Sequence, residues 1–111
     1  MRMLDMATFA DAVKSRVAAP VDSVTTVQTT DGMAALIVRL SNRHTVTVTP
    51  QAGFTDVLLA DDVATLADGT TECDAMALVS VRSYADYMAA IKVVAAMVTD
   101  AAQCATFMVL K

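Results

Sequence analysis

The chain of 111 residues contains one histidine, one glutamate, two cysteines, three glycines, two prolines and no tryptophan. Each shortage removes a class of chemistry. His44 has no second imidazole to work with, and neither a Gly-rich phosphate loop nor a Ser-centred strand-to-helix elbow occurs, so nucleotide-binding and hydrolase motifs are excluded. Cys73 and Cys104 belong to no Cys-x-x-Cys pair and read as free, buried thiols. A zinc site would require both to converge with His44 and a carboxylate. The acidic residues also lack the alternating spacing and central glycine of a calcium loop. The expectation is a protein that is not an enzyme, with no cofactor and no metal.

Apolar residues are abundant instead, at 56% of the chain. The longest apolar run brackets Lys92 and is too short to cross a bilayer. Acidic residues near the amino terminus stand where a secretory leader needs an apolar run, so a cytoplasmic protein without membrane attachment is expected. At this length the sequence predicts one domain, residues 1–111, able to bury a core without staples.

The segment 21–49 organises the rest as a three-stranded antiparallel meander. Asp31-Gly32 lies between the β-branched run 24–30 and the apolar run 33–40, a strong hairpin signal. A two-residue loop there predicts Thr30 opposite Met33, Gln28 opposite Ala35 and Val27 opposite Leu36. For the third strand, 45–49, presenting valines to the same face requires a three-residue loop, Ser41, Asn42 and Arg43, which aligns Val46 with Val38 and Val48 with Leu36. His44 then falls near the hairpin tip and reads as a turn residue. The opposite face would carry Val24, Thr26 and Gln28 beside Ala35, Ile37 and Thr45, Thr47 and Thr49, and is poor in charge.

Residues 3–19 predict a first helix, with Met6, Phe9, Ala10, Val13 and Val17 at helical spacing and Pro20 ending it. After Pro50, residues 54–60 read as a short strand. Residues 61–69 read as one or two helical turns, with Asp61 as N-cap and Gly69 just past the end. Residues 70–74 read as a loop, and 75–82, apolar on both parities, as a central strand. Ser83 and Asp86 form a capping-box pattern that starts a helix over 84–103, and 105–110 reads as a last strand. The fold class predicted is α+β: an antiparallel sheet built on the meander, with an N-terminal and a C-terminal helix packed on one face. The second helix is apolar over more than half its circumference, so Ala89, Val93, Ala96 and Met97 are predicted to meet another copy in a homodimer or small oligomer.

Charge is segregated. From His44 to Val81 there is no Lys or Arg, whereas Asp56, Asp61, Asp62, Asp68, Glu72 and Asp74 all fall inside. Such a one-sided negative field attracts basic surfaces and repels nucleic acid, so no direct nucleic-acid binding is expected. In size, acidity and lack of catalytic parts the chain resembles the small stand-alone inhibitors of phages and other mobile elements, such as anti-CRISPR proteins. Its element order is similar to that of acidic dimeric secretion chaperones. The expected function is a non-enzymatic inhibitor that uses those six acidic residues to occupy a basic, nucleic-acid-binding surface of a larger protein. The alternative is a self-assembling structural or assembly subunit, as in a phage virion, or an acidic dimeric chaperone.

Overall fold

A computed structural model describes residues 5–17, 21–28, 33–51 and 56–103. Two helices and five strands follow one another as α1 (Met6–Arg16), β1 (Ser23–Gln28), β2 (Ala34–Arg39), β3 (His44–Pro50), β4 (Val57–Thr65), β5 (Thr71–Ser80) and α2 (Tyr84–Ala102). The strands form a single antiparallel sheet in the order β1-β2-β3-β4-β5, so each pairs with its neighbours in the chain. This is the predicted α+β class, with the meander extended to five strands.

Alternation explains why one face is covered. In β3, His44, Val46 and Val48 are buried while the threonines between them are half-buried, and in β4 Leu58, Ala60, Asp62 and Ala64 point inward. Leu36 and Val38 continue this face in β2. Onto it pack Met6, Phe9, Ala10 and Val13 of α1 and Ile91, Val94, Ala95 and Val98 of α2. Phe9 meets Tyr87 edge-on, with ring centroids 5.8 Å apart, locking the two helices together. Burying each of these larger side chains is worth about 1.5–3 kcal/mol, so the sheet–helix layer supplies most of the driving force.

The second hairpin matches its predicted register, with Leu36 opposite Val48 and Val38 opposite Val46. Arg43 closes its three-residue turn at φ +71°, the left-handed residue such loops require. The second helix also begins as predicted: the Ser83 side chain accepts a hydrogen bond from the Asp86 N–H at 3.1 Å. Asp86 uses its own carboxylate to accept from the Ser80 hydroxyl.

Other expectations are corrected. The first hairpin is offset by one residue, with Val27 opposite Ala35 and Thr26 opposite Leu36, so Val24 packs against the core while Thr26 and Val27 are both exposed. Residues 61–69 are not helical: Asp61 and Asp62 lie within β4, and Gly69, at φ +88°, sits in the turn to β5. That turn is closed by Leu66 N–H to Thr70 O at 2.7 Å. Residues 71–74 belong to β5, which among the described residues is, like β1, at an edge of the sheet and not central. The helix expected over 3–19 is described from Met6 to Arg16. The Asp31-Gly32 turn, Phe54 and the strand expected at 105–110 lie outside the described residues.

Candidate functional site

The alternation that buries Val46 and Val48 also buries His44, which is 1% exposed. It is not a turn residue. Opposite Val46 on β4 stands Asp62, 3% exposed, which places its carboxylate diagonal to His44 on the covered face. His44 Nδ1 and Asp62 Oδ1 are 2.7 Å apart, a buried hydrogen bond.

A third group arrives through a register shift. β4 and β5 pair Asp62 with Ala75 and then Val63 with Cys73, so Asp74 is an extra residue at a β-bulge. Bulges re-aim side chains. Here the Asp74 carboxylate, which a regular strand would send to the outer face, comes within 3.9 Å of His44 Nε2. The three ligand atoms of His44, Asp62 and Asp74 lie within 4.8 Å of one another, one residue from each of three adjacent strands.

Burial pushes the Asp62 carboxyl above the ordinary range. The hydrogen bond and charge of His44 pull it back, while the negative charges of Asp74 and Asp61 push it further up. Two acidic side chains thus flank one buried imidazole.

The other acidic residues are scattered. Asp61 points to the outer face, where it accepts a hydrogen bond from the Thr47 hydroxyl. Asp56, at the opposite end of β4 from Asp68, pairs with Arg82 Nε at 2.9 Å. Asp68 caps its own turn by accepting from the Thr70 N–H and hydroxyl at 3.0 and 2.6 Å. Glu72 is exposed on β5. Chain neighbours in a strand face opposite ways, so a linear acidic segment becomes several separate sites. Cys73, expected to be buried, is exposed, and Cys104 lies outside the described residues.

No family model, curated protein or solved structure matches this chain.

Of the four α2 positions expected at an oligomer contact, Ala89, Val93 and Ala96 face outward and Met97 is buried against the core. Larger apolar exposure lies elsewhere. Met76 and Leu78, on the outer face of β5, are 62% and 67% exposed. Among the described residues no helix is long and apolar enough to cross a membrane. The apolar recess between α1 and β1, lined by Val13, Val17, Val24, Val38 and Val98, measures about 200 Å³. Sites for drug-sized ligands typically run from roughly 300 to 1,000 Å³, so this one is undersized for an organic cofactor.

The signal for His44 was in its parity with Val46 and Val48. Asp62 likewise shares parity with Leu58, Ala60 and Ala64. No sequence rule announces the bulge that brings in Asp74.

Proposed function

We propose that the protein is a non-enzymatic binding module whose recognition element is β5, with Met76 and Leu78 as apolar anchors and Asp61, opposite Met76 on the outer face, and Asp68 as an acidic rim. The observation that carries this is the exposure of Met76 and Leu78 together on one strand. Neighbouring large apolar side chains left in water on the same face are costly unless a partner covers them. Interfaces are commonly built this way, with an apolar centre in charged surroundings. The partner that fits is a larger protein with an apolar depression bordered by Lys and Arg, such as a nucleic-acid-binding surface, which the module would occlude as an inhibitor. Charge would then act mainly on the association rate.

The test is affinity capture from a lysate of the source organism with wild type and the Met76→Lys/Leu78→Lys double variant in parallel. A protein retained by wild type, released as salt rises and missing from the variant supports the reading. Equal retention by both sinks it.

A second reading has another copy as the partner. The outer face continues from β5 through Leu59 and Val63 to Ile37, all half-buried, with Arg39 and Asp61 among its few charges. β5 runs ten residues without Lys, Arg or Pro, and its bulge at Asp74 is the one device there that interrupts the edge. A homodimer or larger assembly through this face follows from the same apolar surface.

A further inference from the structure

We propose that His44, Asp62 and Asp74 form a site for a divalent transition-metal cation of the zinc class, with His44 Nε2 and the Asp74 carboxylate as direct ligands and Asp62 orienting the imidazole. Metal-binding histidines almost always donate their second ring N–H to a carboxylate, which fixes the tautomer and makes the other nitrogen a better ligand. The 2.7 Å contact between His44 Nδ1 and Asp62 fits that arrangement, and the Asp74 carboxylate stands 3.9 Å from the other ring nitrogen, Nε2.

The spacing suits an ion better than a direct hydrogen bond. At 3.9 Å, Nε2 and the Asp74 oxygen are beyond hydrogen-bond range. A tetrahedral ion with bonds of about 2.0–2.1 Å holds two donors roughly 3.4 Å apart, so a closure of about half an ångström makes the shell. The Asp74 side chain is 30% exposed, so this ligand meets solvent on the β5 side.

Donor chemistry selects the metal. Calcium and magnesium take all-oxygen shells, whereas an imidazole nitrogen beside carboxylates suits zinc and its neighbours. The ion would tie β3 to β5 across β4 and hold the bulge closed.

His44 is the single histidine, so the imidazole ¹⁵N spectrum of the untagged protein reports on this site alone. Titration with zinc chloride is expected to shift the Nε2 resonance, leave Nδ1 hydrogen-bonded, and saturate near one equivalent. Magnesium chloride is expected to do neither. Asp74→Asn, at a partly exposed position, should weaken zinc binding roughly tenfold or more, and Asp62→Asn by roughly 10–100-fold through loss of the orienting carboxylate. Cys73→Ser should leave binding unchanged. An imidazole spectrum unaltered at millimolar zinc overturns the proposal, as does undiminished binding by Asp74→Asn or loss of binding in Cys73→Ser.

Discussion

Asn42, in the turn between β2 and β3, donates through Nδ2 to the backbone carbonyl of Ala101 at 2.7 Å. Its Oδ1 accepts from the His44 N–H at 3.2 Å, so one side chain shapes the turn and satisfies a carbonyl in the last turn of α2. The contact is partly buried and joins residues 59 positions apart. Replacing Asn42 by Ala should cost about 1–2 kcal/mol, because both a turn and a helix end lose a partner. Urea denaturation checks this, and a midpoint equal to wild type would show that water replaces both bonds.

The raised Asp62 carboxyl makes a signed prediction. The folded state holds this proton more tightly than the unfolded chain does. The contribution is therefore fully present below the unfolded value of about 3.9 and is lost as pH rises through the higher folded value. Asp5 and Asp68 run the other way. Hydrogen bonds from Thr8 and the Ala7 N–H lower the first, those from Thr70 lower the second, and their contributions are lost as pH falls. With a chelator present, Asp62→Asn should therefore compare better with wild type near pH 7 than near pH 4. Denaturant titrations at the two pH values measure the difference, and a constant gap would exclude a proton held by Asp62.

Two turns of similar shape predict opposite signs. Arg43 holds φ +71° with a side chain and Gly69 holds φ +88° without one. Left-handed backbone costs an L-residue about 1–2 kcal/mol, and glycine gives back part of that through unfolded-state entropy. Arg43→Gly should stabilise by about 0.5–1 kcal/mol. A Cβ at Gly69 would meet nothing within 4 Å, so Gly69→Ala should destabilise by about the same amount for purely backbone reasons. Thermal melts of the pair test the argument, and a shared sign would refute it.

Light scattering after gel filtration distinguishes the two surfaces available for self-association. If the outer face of β5 is the contact, Leu78→Glu yields monomers and Ala96→Glu keeps the wild-type mass. The reverse result assigns the contact to the exposed side of α2. A wild-type protein that stays monomeric at high micromolar concentration removes self-association altogether.

The parts of the fold legible in the sequence were those in which pattern and geometry agree. Val46 and Val48 could reach the face of Val38 and Leu36 only through a three-residue loop, so that register was determined. Ser83 and Asp86 marked a helix start because the cap is a local hydrogen bond. The first hairpin departs by one residue from the register that a two-residue Asp31-Gly32 turn predicts, because the offset brings Val24 opposite Val38 and onto the core. β4 was missed at Asp61-Asp62, where paired aspartates resemble a helix start and are unfavourable in strands. One of them is tolerated there because Thr47 bonds it and the other because His44 does. The local rule thus failed at the residue that builds the candidate site, and the bulge at Asp74 depends on strand pairing that no local pattern encodes.

Because every strand pairs with its neighbour in the chain, the sheet can assemble through a series of short loop closures. Loop-closure entropy rises with length, so these steps precede the docking of the first helix against the last, where Phe9 meets Tyr87. Phe9→Ala should therefore speed unfolding far more than it slows folding, since helix docking comes after the barrier that the hairpins set.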